Sequence, residues 1–297
     1  MRWLALLCAV FAFPLFAQDG GAQFVGMFGG GSLPMRDLAI HCQGSNIHLY
    51  GDTYHGDQWQ PNAGAQFANG HLTALNNDAA LWVPDADAAL SVPSGCTEYG
   101  GALYSWYTDA VTNTGNDFQA VSAGVVVSAD GGASWVKHRL TEGDGAFAQA
   151  TFAIAGDGYV YALFTGAGRV GGVSIARTSD LTRLEAYTWF DGQSWGGVEN
   201  AVTIINGEVG EATICHDGTQ WRIAYLDPTY NGIVLRTAPA LTGVWSEARV
   251  IVDLAVHHGQ YAPQFIGCNG AFLLSSFEPL VVDGLTYPAY SVYEWSL

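Results

Sequence analysis

Short runs in which apolar and polar residues alternate, each adjoining a glycine turn, recur along the chain and predict β-strands joined as hairpins. The clearest are Gln43-Gly44 before Ile47-His48-Leu49-Tyr50, Gly100-Gly101 before Leu103-Tyr104-Ser105-Trp106, Asp157-Gly158 before Val160-Tyr161-Ala162-Leu163, Asp217-Gly218 before Trp221-Arg222-Ile223-Ala224, and Asn269-Gly270 before Phe272-Leu273-Leu274. Their turn glycines, Gly44, Gly101, Gly158, Gly218 and Gly270, are separated by 57, 57, 60 and 52 residues. A second series ends in tryptophan, at Trp135, Trp195 and Trp245, with spacings of 60 and 50. Two hairpin signals per period predict a four-stranded antiparallel sheet used five times, an all-β five-bladed β-propeller occupying 18–297 as a single domain. A β-sandwich with long hairpins is the rival architecture, but it gives no reason for so regular a period.

Composition narrows the function classes. The 297 residues hold 10 Lys and Arg against 27 Asp and Glu, a net charge of -17, and Lys137 is the only lysine. Nucleic acid and anionic membrane surfaces are thereby disfavoured, because both are bound through clustered cations. Arg2 followed by an apolar run from Trp3 to Phe16 reads as a signal peptide, 1–17, cleaved near Ala17, and implies a secreted or periplasmic protein with no membrane attachment afterwards. The run is short for a bilayer span, which ranks an N-terminal anchor second. The mature chain keeps Cys42, Cys96, Cys215 and Cys268. None forms a C-x-x-C pair, so no zinc site is indicated, and disulfides are expected in an oxidising compartment. Cys42 and Cys268 each stand two residues before a turn glycine in the first and last blades, so a bond between them is expected to clasp the ring, while Cys96 and Cys215 should not reach one another.

Several motifs carry structure rather than chemistry. Ser128-Ala129-Asp130-Gly131-Gly132-Ala133-Ser134-Trp135 fits the Asp-box, a turn device of propeller hairpins. Gly166-Ala167-Gly168-Arg169-Val170-Gly171 matches G-x-G-x-x-G, but Val173-Ser174-Ile175 follows it as a strand where a nucleotide fold needs a helix. His257-His258 lacks the companion ligands of a metal site.

The repeat register locates the candidate chemistry. Asp37 and Glu211 each lie seven residues before their turn glycine, at the start of the strand expected to be innermost, facing a central funnel. The partner strand returns to the same rim with Asp52, Asp109, Asp227 and Glu278 near its end. Antiparallel pairing places Asp52 beside Asp37. Crowded carboxylates raise one another's pKa, which lets a protonated acid and an ionised base coexist. Asp37, Asp52 and Glu211 are the catalytic candidates, with Glu211 as proton donor; Asp109, Asp227 and Glu278 read as caps of strand ends. Tyr54, Trp59, Trp106 and Tyr230 are candidates for stacking on sugar rings, although large aromatics commonly pack inside. Calcium would suit the same carboxylates, but no loop spacing points to it, and no cofactor is expected.

Arg36-Asp37-Leu38, Tyr50-Gly51-Asp52-Thr53-Tyr54, the Asp-box, Tyr187-Thr188-Trp189-Phe190, Gly210-Glu211-Ala212-Thr213, Leu235-Arg236-Thr237-Ala238, Thr242-Gly243-Val244-Trp245-Ser246 and the segment from Tyr287 to Trp295 resemble the DUF4185 family, in that order. The resemblance implies membership of a group classed with endo-D-arabinanases as glycoside hydrolase family 183. It further implies a propeller that cleaves furanosidic arabinan with acidic residues at the funnel, here Asp37, Asp52 and Glu211, and Arg36 among the substrate contacts. Gly243-Val244-Trp245 departs from the family's Gly-Pro-Trp. The expected function is a monomeric glycoside hydrolase acting on a polysaccharide or oligosaccharide. A non-catalytic carbohydrate-binding propeller is the alternative, and a sialidase lacks the arginine cluster that an acidic sugar needs.

Overall fold

The computed structural model describes residues 21–28, 36–43, 46–55, 58–68, 71–75, 79–112, 118–142, 147–288 and 291–297, with the backbone alone for 36–43, 46, 53–55, 58, 59, 71, 112 and 118. The proposed signal peptide lies outside these residues. Strand β1 (Gln23–Met27) comes first and belongs, unexpectedly, to the last blade. Blade one is β2 (Arg36–Gln43), β3 (Asn46–His55), β4 (Gln58–Ala68) and β5 (His71–Ala74). Blade two is β6 (Leu90–Tyr99), β7 (Ala102–Thr112), β8 (Phe118–Ser128) and β9 (Val136–Glu142). Blade three runs β10 (Gln149–Ile154), β11 (Val160–Thr165), β12 (Val173–Thr178), β13 (Thr188–Phe190) and β14 (Trp195–Gly196), with β15 (Thr203–Ile205) also paired to β12. Blade four is β16 (Ala212–His216), β17 (Trp221–Asp227), β18 (Gly232–Ala238) and β19 (Arg249–Asp253). Blade five begins with β20 (Gln260–Phe265) and β21 (Ala271–Ser276), gives off a hairpin of β22 (Leu280–Val282) and β23 (Leu285–Tyr287), and continues in β24 (Ser291–Ser296). Its fourth strand is β1, so the two ends of the chain close the ring by pairing Phe24 with Trp295 and Met27 with Tyr293.

The inner strands β2, β6, β10, β16 and β20 touch in succession, and β20 touches β2, which makes the five-bladed propeller. Each seam between blades holds its own apolar cluster. Leu163, Val173 and Ile223 fill the seam of blades three and four, while their sequence neighbours Phe164 and Ala162 fill that of blades two and three with Trp106. A strand buried on both faces therefore reads as a continuous apolar run instead of alternating strictly. Buried polar side chains tie the seams as well. Asn62 of blade one donates Nδ2–H to the Ser91 carbonyl of blade two at 2.9 Å and accepts the Leu81 and Trp82 amides. Ser94 exchanges hydrogen bonds with the backbone of Ala150 at 3.0 and 3.2 Å. Gly95 is required beside it, because a Cβ there would meet the Ala150 carbonyl oxygen at 2.3 Å.

The turn glycines of blades two to five have positive φ, for example +88° at Gly158 and +95° at Gly218, as hairpins of the Asp-Gly type demand. The Asp-box also folds as a turn device: Asp130 accepts the Ser134 amide at 2.9 Å and the hydroxyls of Ser134 and Ser128 at 2.6 and 2.7 Å. One covalent expectation is corrected. Cys268 bonds Cys215 of the adjacent blade four, with Cα atoms 5.7 Å apart, and not Cys42. Equal distance to a turn glycine fixes height along the axis but not which neighbour the side chain faces; the side chain of Cys42 itself lies outside the described residues.

Candidate active site

The mouth of the ring where the inner strands begin carries Glu211, immediately before β16. The amide of Gly210 donates to the Leu226 carbonyl at 2.8 Å and fixes this start. Arg169, from the loop between β11 and β12, reaches across the blade seam and holds the Glu211 carboxylate with three contacts: Nε to Oε1 at 3.0 Å, Nε to Oε2 at 3.2 Å and Nη2 to Oε1 at 2.9 Å. Its guanidinium also lies 5.5 Å from the ring centre of Tyr261 in blade five. Glu211 is 12% exposed and Arg169 36%, so the pair is sheltered yet reachable. Arg169 occupies the left-handed region at φ +65°, and its loop ends in a short 3-10 turn followed by a strand, as expected for something other than a nucleotide site.

A cation beside Glu211 is a finding that sequence spacing did not anticipate. The glycine-rich loop was informative for another reason than its nucleotide match: with only 10 Lys and Arg in the chain, an arginine set among flexible residues at the end of an inner hairpin is conspicuous. Gln260, at the head of β20, was also missed. Its amide nitrogen and oxygen are both buried without a hydrogen-bond partner, in a residue 1% exposed. Buried unsatisfied amides are uncommon in native folds and ask for an explanation.

On blade one the register is one residue away from that expected. Arg36, not Asp37, stands opposite Asp52, and Asp37 falls within the irregularity between Arg36 and Ala39. The bulge leaves Asp37 next to this pair at the start of β2, where its side chain, like that of Arg36, lies outside the described residues. Asp52 is fully buried. Tyr54 and Trp59 pair with each other across the β3–β4 hairpin, and their side chains are likewise outside the description.

The remaining candidates separate clearly. Asp109 is fully buried and bound to the Lys137 ammonium at 2.5 Å and to the Asp85 amide at 2.7 Å, a structural pair between strands of blade two. Asp227 accepts the Thr229 amide at 2.9 Å and closes the β17–β18 turn. Glu278 is exposed. Asp227 thus has the strand-end role expected of it, whereas Asp109 lies within β7 as half of an ion pair. Trp106, a proposed stacking platform, is instead sealed in the core, its indole N–H donated to the Ala148 carbonyl at 3.1 Å and its ring 5.0 Å from Phe164. Its place in β7 fell on the inward face of a strand buried on both sides. Tyr230 is 45% exposed, and Phe277, 44% exposed, adds a further aromatic on blade five. Among the described residues, no three His, Cys, Asp or Glu side chains converge as a metal site, and no helix is long and apolar enough to cross a membrane.

A family model, the domain of unknown function DUF4185, matches residues 35–294. The chain belongs to the DUF4185 family. A protein of the notoamide biosynthesis cluster of Aspergillus versicolor, protein J', is 35% identical over 83 residues, which are 27% of this chain and 22% of that one. Thus the DUF4185 chain matches about a fifth of that relative's length. Among solved structures, the GH43_1 enzyme of Xanthomonas citri with xylotriose bound superposes at TM-score 0.62, with 10% identity over 92% of this chain and 89% of the other. An exo-β-1,3-galactanase of Phanerochaete chrysosporium gives 0.61 and 12%, covering 93% and 63%. A xylan β-1,4-xylosidase of Bacillus halodurans gives 0.61 and 11%, covering 88% and 52%. At these identities the likeness is one of fold, and this chain spans little more than half to two thirds of the latter two proteins.

Proposed function

We propose that this DUF4185 protein is a secreted or periplasmic glycoside hydrolase that cleaves furanosidic, arabinan-like glycans at the mouth bearing Glu211. The observation that carries the reading is a sheltered carboxylate at the start of an inner strand, clasped by an arginine from the next blade, on the rim where β2 brings Asp37 and β3 brings Asp52. Glycosidic cleavage needs one carboxylic acid to protonate the leaving oxygen and a second carboxylate to attack the anomeric carbon or activate water. A guanidinium across both oxygens is the partner of the charged member. Glu211 therefore serves as base or nucleophile, and proton donation falls to blade one, to Asp37, with the fully buried Asp52 behind it. This assignment reverses the one expected from spacing, because the neighbour found beside Glu211 is a cation. Tyr230 at the rim suits a sugar ring, and Arg36, Tyr54 and Trp59 remain proposed contacts on blade one. The similar fold of an exo-β-1,3-galactanase and a xylan β-1,4-xylosidase supports a glycan substrate.

The test is incubation of the protein with arabinan, xylan, galactan and a pyranosidic glucan, with products followed by chromatography. Release of furanose oligomers supports the reading. Binding without products would replace the hydrolase with a carbohydrate-binding propeller, and products from pyranosidic polymers alone would move the substrate class.

A further inference from the structure

Along the propeller axis, from the glycine turns that end the inner strands towards the level of Thr151 and Thr213, lies a cavity of about 520 Å³. Among the described residues it is lined from four blades: Thr97 and Glu98 on β6, Thr151 on β10, Thr213 on β16 and Gln264 on β20. Among the described residues Thr151 alone lines both this cavity and the small recess beside Glu211, and the remaining linings differ. Three threonines on successive inner strands give hydroxyls that both donate and accept. Gln264 adds an amide, and Glu98 is the one charged side chain in the lining among the described residues. Tyr99 supplies an aromatic wall and is held in place by donating its hydroxyl to the Gly158 carbonyl at 2.9 Å. The wall of blade four is fixed by the Cys215–Cys268 bond.

We propose that this cavity is a second binding site, for a neutral polyhydroxylated ligand of about one or two sugar rings. The volume falls in the range of roughly 300–1,000 Å³ usual for small-molecule sites. Uncharged hydroxyl and amide groups match sugar hydroxyls in both directions, a carboxylate accepts two vicinal hydroxyls strongly, and the apolar face of a ring suits an aromatic wall. An anionic ligand is excluded by Glu98 in a chain of net charge -17. The proposal does not depend on the mouth being catalytic.

Calorimetric titration with methyl arabinofuranoside, methyl xylopyranoside and, as the charged comparison, glucuronate tests it. Glu98→Gln and Thr97→Val keep side-chain size, and each should weaken binding of a neutral glycoside by about 10-fold, the usual size for losing a hydrogen bond to a charged or fixed partner. Arg169→Gln and Tyr230→Ala, at the other end, should leave that affinity unchanged. Hydrolysis of a polysaccharide, where present, should be unaltered by Glu98→Gln, which separates failure here from failure of the catalytic reading. Absence of binding by every neutral probe, equal binding of glucuronate, or loss of binding in the Arg169 and Tyr230 variants with retention in those at Thr97 and Glu98 overturns the proposal.

Discussion

Glu211 and Arg169 form a charge pair whose members come from different blades, so each can be tested without disturbing a turn. Glu211→Gln removes the proposed attacking charge while keeping shape, and Asp37→Asn removes the proposed donor. Each is expected to lower kcat by at least roughly 10²-fold on a confirmed substrate, with KM little changed, the lower end for acid-base groups. Arg169→Gln removes the guanidinium that orients the Glu211 carboxylate and is expected to lower kcat on a confirmed substrate by less than Glu211→Gln does. Glu278→Gln, an exposed carboxylate, is the control and should stay near wild type. Asp109, although it shares a strand register with the others, is unsuited to that purpose. It is fully buried against Lys137, and breaking a buried pair by removing one partner costs about 3–5 kcal/mol, so Asp109→Asn should show in urea unfolding before it shows in kinetics.

At the level of hairpins and turns, much was readable in the chain because a turn is decided locally. Asp157-Gly158 and Asp217-Gly218 state their own geometry, and the Asp-box closes on itself through Asp130. The same cannot be said of partners across a seam. The position of Arg169 on Glu211, the choice of Cys215 over Cys42, and the burial of Trp106 depend on how blades rotate against one another, which no local pattern encodes. A bulge in β2 shifted the pairing of Asp52 by one residue for a similar reason: an inserted residue leaves alternation intact on either side and is invisible to spacing. The turn aspartates give a pH signature. The Ser134 hydroxyl and amide hold Asp130 down to about 2, and hydrogen bonds from Tyr161, Ser194 and Thr219 lower Asp157, Asp191 and Asp217. Because their folded values lie below the unfolded one of about 3.9, this stability is complete above that pH and is lost as pH falls towards 2. Burial lowers His48 too, from 6.5, so its contribution begins to fade earlier, below about that pH. Thermal melts from pH 8 to pH 2 should fall gently below pH 6.5 and steeply below pH 4, and a Tm flat down to pH 3 would contradict both terms.

The molecule as a whole is a ring held by five seams, closed by β1 on β24 and stapled between the consecutive blades four and five by the Cys215–Cys268 bond. The disulfide spans a sequence separation of 53, for which the chain-entropy model gives about 4 kcal/mol relative to the open chain. Replacing both cysteines by serine should lower the urea midpoint and, because the unfolded chain is freed to expand, raise the slope, and non-reducing peptide mapping should recover Cys215 joined to Cys268. Deleting 23–27 removes the outer strand of blade five and exposes Phe272, Tyr293 and Trp295, which are buried against it or its neighbours. That variant should lose cooperative unfolding, or aggregate, while the intact chain unfolds in one transition.

Closure by strand exchange between the chain's ends also sets an order of events during synthesis. β1 is among the first structured segments to leave the ribosome, and its partner β24 is the last. At roughly 5–20 residues per second the earlier strand waits for some tens of seconds as an unpaired edge, a template for other chains. Blades one to four can collapse in turn as they emerge, but the final sheet cannot be sealed until β24 has emerged. A cell making this protein therefore has to guard one short ribbon from the emergence of β1 to that of β24, and holdases that bind such ribbons should raise the yield of folded protein more than foldases acting after release.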